Sequence, residues 1–182
     1  MSRTNPYKKK RRRVNKTLLV FGEGLGEEMF LKHLKKLYSF NNGIAITIKK
    51  GKGGSARNIV VDASKTSGDF DKKIVVLDND KPKKEMLEAR REAKKRKIKL
   101  IENTPCLEFI LLSVFNKEPK EKLSLYYKHK FESKYIKKKK RTNLKEYDKI
   151  FPKKILDSGR LKIPSLHKLI LIMKAKWVLG LY

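Results

Sequence analysis

Four short apolar runs alternate with stretches of helical spacing along the first two thirds of the chain. Residues 17–22 (TLLVFG) read as a buried strand ending in glycine. Residues 25–38 follow as a helix, with Met29, Phe30, Leu34 and Leu37 on one face and Glu27 and Glu28 in the first turn, where the helix dipole favours acids. Residues 44–48 (IAITI) predict a second strand, and 55–66 a helix with Ile59, Val60 and Ala63 inward. The most apolar strand, 73–77 (KIVVL), runs into Asp78-Asn79-Asp80, and Pro82 opens a helix over 83–96. A fourth strand (98–101) and an apolar helix (106–115) complete the series. Strands that are apolar throughout, rather than alternating, belong to a parallel sheet covered on both faces. The predicted fold is therefore α/β, a Rossmann-like, mostly parallel sheet of about four strands flanked by helices.

The organisation predicted is a flexible basic arm (1–16), an α/β domain (17–116) and a basic helical region (117–182) packed on it. The last helix is expected over 166–179, with Leu166, Leu169, Ile170, Met173 and Trp177 on one face. His167 reads as a structural residue capping that helix, the alternative being a proton donor or substrate contact.

Charge changes the picture. The 182 residues carry 48 Lys and Arg against 19 Asp and Glu, a net charge of +29. Such a chain repels itself unless polyanions are near, so nucleic acid is the expected partner. Residues 1–16 hold eight bases, including Arg11, Arg12 and Arg13, and no acid. Residues 134–154 hold ten, including Lys137, Lys138, Lys139, Lys140 and Arg141, interleaved with Tyr135, Tyr147 and Phe151. Phosphate contacts from bases and stacking from aromatics suit a nucleic-acid strand. No apolar run approaches the roughly 18 residues of a membrane span, and no apolar stretch of a secretory signal follows the first bases. One cysteine, Cys106, excludes a disulfide framework and reads as a small buried hydrophobe. A cytoplasmic setting is expected.

The acids are few, and they gather where ligands bind. In open parallel sheets that place is the carboxyl end of the strands. Strand one delivers Glu23 and, one turn later, Glu27; strand three delivers Asp78 and Asp80. Four carboxylates at one edge raise one another's pKa, and a hard divalent cation, Mg²⁺ or Mn²⁺, resolves the repulsion with oxygen ligands. The bland alternative for Asp78 and Asp80 is a polar strand end that caps the next helix. GEGLGEE is not a dinucleotide turn, because Glu27 stands where GxGxxG needs glycine. GKGGS (51–55) is not a Walker A loop; its Lys52, with Arg57 just beyond, either touches a substrate phosphate or belongs to a plain turn.

The Glu-Gly-x-x-Glu after strand one, paired with Asp-x-Asp after strand three, resembles a Toprim domain, the metal-binding module of topoisomerases, DnaG-type primases and related nucleases. Later segments narrow this. TPCLEFILLSVF (104–115) is similar to the Asn-Pro-Cys-Phe-Glu-x-Trp-Leu-Leu motif of RloB-like proteins, small Toprim-type proteins found with restriction and abortive-infection genes. GKGGSARNIVVDA (51–63) and IPSLHKLI (163–170) resemble two further segments of that family, in the same order. Gly26, Thr104, Leu107 and Ile110 depart from its usual Thr, Asn, Phe and Trp, while the acids are kept. The resemblance implies metal binding by Glu23, Glu27, Asp78 and Asp80, with Glu108 as a fifth acid. It implies a Mg²⁺-dependent nuclease of anti-phage defence, acting on DNA or RNA, tRNA included. The alternative is a non-catalytic nucleic-acid-binding or effector subunit on the same scaffold, working with a partner ATPase or within an oligomer.

Overall fold

The computed structural model describes residues 16–40, 43–115 and 122–174. Strands β1 (Lys16–Gly22), β2 (Ile44–Lys50), β3 (Lys72–Asp78) and β4 (Lys99–Asn103) form one sheet in the order β2-β1-β3-β4. All three pairings are parallel, with Val20 opposite Ile48 and Ile74, and Asp78 opposite Asn103. Helices α1 (Leu25–Tyr38), α2 (Ala56–Lys65) and α3 (Lys83–Lys95) make the crossovers between them. The fold is α/β and Rossmann-like, as the apolar strands imply.

Alternation along the strands divides the core in two. Leu18, Val20, Ile74 and Val76 point to the face covered by α1, by α4 (Leu107–Ser113) and by the C-terminal helices. Leu19, Phe21, Val75 and Leu77 point to the face covered by α2 and α3 through Ile59, Val60, Met86 and Ala89. Burying each of these aliphatic side chains stabilises the fold by about 1.5–3 kcal/mol before chain entropy is counted.

The C-terminal part is helical: α5 (Ser124–Lys134), a 3₁₀ turn (Lys138–Lys140), α6 (Leu144–Ile150), α7 (Lys153–Gly159) and α8 (Pro164–Met173). It shares the first core. Phe151 is fully buried, with ring centroids 6.0 Å from Phe30 of α1 and 6.2 Å from Phe131 of α5. The clasp onto α1 is also polar. His33 Nε2 donates to the Phe151 carbonyl at 2.8 Å, and Lys36 meets Asp148 at 2.6 Å.

Two boundaries differ from expectation. Ile98 is the closing turn of α3 rather than the start of β4. Its N–H donates to Ala93 O at 2.9 Å across Lys97, which takes the left-handed conformation (φ 54°) usual for a helix-ending glycine. The last helix begins at Pro164, because a proline fits the first helical position, where no N–H is needed. Trp177 and the arm with Arg11, Arg12 and Arg13 lie outside the described residues. Among the described residues, no helix is long and apolar enough to cross a membrane.

Candidate functional site

The carboxyl ends of β1 and β3 open into a cleft of about 470 Å³. Its floor is Glu23, Glu27, Asp78 and Glu108; its rim carries Lys50, Lys52, Lys128, Arg141 and Tyr147. Each acid is placed by a backbone feature. The Glu23 N–H extends the ladder to Val76 O at 3.1 Å, and its Oε2 accepts from the Asp78 N–H at 3.2 Å. Its other oxygen is 3.6 Å from Lys81 Nζ. Glu27 sits in the first turn of α1, and its Oε2 accepts from the Gly24 N–H at 2.9 Å, closing the helix start. Gly22 permits this approach: a Cβ there would stand 2.7 Å from Glu27 Cβ. Asp78, 3% exposed, accepts from the Leu107 N–H at 2.9 Å and so ties β3 to the start of α4.

These acids perturb one another. Burial, then the charge of Glu108, lifts the Glu27 carboxyl to about 7. Burial, then Glu27 and Glu108, raises Asp78 well above the usual carboxylate range. Lys128 of α5 reaches over them: its Nζ lies 3.4 Å from Asp78 Oδ2 and 3.0 Å from Asp80 Oδ2. Asp80 therefore shares a cation with Asp78 without lining the cleft floor itself. Glu108 Oε2 is buried and has no hydrogen-bond partner among the described residues.

Could this donor set hold a metal? Asp78, Cys106 and Glu108 offer ligand atoms within 4.8 Å of one another, so a buried acidic and thiol cluster could hold an ion. Glu108 Oε2 lacks a partner, and the surrounding oxygens are mutually repelled. That combination fits a bound metal ion. The Cys106 thiol, pushed up to about 12 chiefly by burial, is neutral unless a metal deprotonates it.

The basic residues are distributed unevenly. Lys52 and Arg141 reach the cleft, Arg141 through a 2.9 Å bond to Glu132. Lys137, Lys138, Lys139 and Lys140 are exposed beside it, and Lys140 lies 3.8 Å from Glu146. Arg57 points along α2 towards Glu92 of α3, at 3.5 Å, and does not line the cleft. Lys128 was not legible as a site residue, since nothing in SLYYKHKFESK marks it from its basic neighbours. A helical wheel anchored on Tyr127 and Phe131, both buried, was the one signal that could have placed it near the inner face.

A larger cavity of about 910 Å³ runs between β4 and α8. His167 lines it, away from the acids. Among the described residues its one lining acid, Glu102, is ion-paired with Arg90 at 2.6 Å.

A family model described as RloB-like protein matches residues 18–171. The chain belongs to the RloB-like family. The match spans the sheet, the cleft and the helical part up to α8. No curated protein and no solved structure matches this RloB-like chain.

Proposed function

We propose that this RloB-like protein hydrolyses phosphodiester bonds of nucleic acid with Mg²⁺ or Mn²⁺, as a nuclease of anti-phage defence. One observation carries the reading: a chain of +29 gathers four carboxylates on the floor of one cleft and rims it with bases. Asp78 and Glu108, with Glu23 and Glu27 beside them on the floor and Asp80 at its edge, would hold the metal. A bound divalent cation would supply Lewis acidity and a more acidic water.

The protein's own groups do the rest. Lys50, Lys52 and Arg141 bind the backbone phosphates, reading charge and not sequence. Leu107 and its helix hold Asp78 in place through the Leu107 N–H. Apolar walls from Leu111 and Phe131 exclude bulk water from one side. The exposed lysines of 137–140, and the arm with Arg11, Arg12 and Arg13, extend the phosphate-binding surface.

A second reading has its own observation. Oxygens of Glu23, Glu27 and Asp78 already accept backbone N–H bonds, so part of the acid set has structural work. In that case the protein is a binding or effector subunit triggered by a partner ATPase. Incubation of purified protein with tRNA, single-stranded RNA and plasmid separates the two. Cleavage with Mg²⁺ or Mn²⁺ and none with EDTA is expected. Intact substrates under all conditions, with retained binding, favour the subunit.

A further inference from the structure

The cation nearest the acids is part of the protein. Lys128 Nζ lies between the two carboxylates of Asp-x-Asp, 3.4 Å from Asp78 and 3.0 Å from Asp80. Its backbone is anchored, because Tyr127 and Phe131 on the same helix are buried. Only the four-carbon stem can move.

We propose that Lys128 is a stand-in cation, which neutralises Asp78 and Asp80 while the site is metal-free and must yield them for a divalent cation to bind. This rests on the reading that these carboxylates hold metal. A Mg²⁺ or Mn²⁺ ion needs carboxylate oxygens at about 2.1 Å. Bound there, it would face an ammonium only a few ångströms away, across a partly desolvated cleft where like charges repel strongly. The ammonium then swings on its stem away from Asp78 and Asp80, along the rim towards Lys50, Lys52 and Arg141, which already gather positive charge. A phosphodiester at that rim is the anion that would receive it. Lys128 thus makes metal loading unfavourable alone and easier when substrate is present. The coupling is reciprocal, since what substrate does for metal, metal does for substrate.

The test needs no turnover. Mn²⁺ binding to the full-length protein is measured by electron paramagnetic resonance of the free ion, for wild type, Lys128→Met and Lys128→Arg, without nucleic acid. Thermal melting is followed with and without Mn²⁺. The expected result is that Lys128→Met melts lower without metal and binds Mn²⁺ about tenfold or more tighter. Lys128→Arg should keep the wild-type affinity, because it keeps the charge. Should Lys128→Met fail to fold, Lys128→Gln serves, since it is polar and carries no charge. A purely structural ion pair would lower the melting temperature and leave Mn²⁺ affinity unchanged or weaker, and that outcome overturns the proposal. Wild-type binding that Asp78→Asn abolishes, with no gain in the uncharged Lys128 variants, removes this inference and keeps the metal reading. Absence of Mn²⁺ binding in every variant removes both.

Discussion

Residues 16–115 bring four carboxylates to the cleft floor, whereas residues 122–174 bring Lys128, Arg141 and Tyr147 to its rim. The first region is organised by the sheet: Glu23 and Asp78 sit at strand ends fixed by parallel ladders. The second is organised by packing, through Phe151, Tyr127 and Phe131 against α1 and α4. The acids are therefore rigidly placed and the bases are placed by whatever holds the helices down. If the proposed chemistry is right, loss of an acid should remove the reaction. Loss of a base should alter how substrate or metal is held.

The largest effect expected is at Asp78. Asp78→Asn keeps the size and removes the charge, so cleavage should fall by about 10³-fold or more. Nucleic-acid binding should be unchanged or tighter, because a repulsive charge is gone. Filter binding and cleavage on the same preparation check this; undiminished cleavage would move the active site out of this cleft. Next comes the clasp between the two regions. Phe151→Ala empties a fully buried site among Phe30, Phe115 and Phe131. It should cost about 3–5 kcal/mol of stability, read from urea unfolding. A loss near zero would mean that the helical region does not depend on this side chain.

The sheet was legible because its signal is local. Runs such as KIVVL are apolar on both faces, which only a doubly covered parallel strand requires. The positions of Glu23 and Asp78 were legible for the same reason, since they follow directly from where β1 and β3 stop; that Asp80 stays off the cleft floor while Glu108 lines it was not. Lys128 was not, because its role depends on α5 packing on α4 so that its side chain meets Asp78 and Asp80, some fifty residues away in sequence. Neither was the separation of Arg57 from the cleft, which follows from α2 turning that side chain towards Glu92. In the 137–141 run the sequence offers five equivalent bases, and the tertiary fold turns Arg141 alone of them into the cleft.

The next effect is a dependence on pH that belongs to the acid floor. Glu27 is lifted to about 7, first by burial and then by Glu108, against an ordinary value of 4.5. Between these values the folded state keeps a proton that the unfolded chain has released. Stability without metal should therefore fall as pH rises from about 4.5 through about 7, by at most about 1.4 kcal/mol per pH unit for this group. Asp78, also raised, acts with the same sign. Melting temperatures from pH 5 to 8 in EDTA should decline in wild type and decline less in Glu27→Gln, whose amide oxygen can still cap α1. His33, held below its ordinary value chiefly by burial, acts with the opposite sign in both proteins, so a wild type that declines no more than Glu27→Gln would contradict the burial assigned to Glu27.

The smallest effects separate bases that reach the cleft from bases that stand beside it. Lys137, Lys138, Lys139 and Lys140 are exposed, while Arg141 is half-buried at the rim and braced by Glu132. Replacing the four lysines with serine should weaken nucleic-acid binding by a similar factor for every sequence. It should also flatten the salt dependence, by about 0.7 to 0.9 for each phosphate no longer neutralised. Single-turnover cleavage at saturating substrate should stay near the wild-type rate, because an exposed tether no longer matters once the substrate is bound. Arg141→Ser removes one charge instead of four, so its salt slope should change less. Its saturated rate should nevertheless drop several-fold, because a phosphate at the rim loses the guanidinium that positions it. Equal saturated rates in both variants would make Arg141 one more tether. A lower saturated rate in the four-lysine variant alone would shift the positioning role to the exposed run.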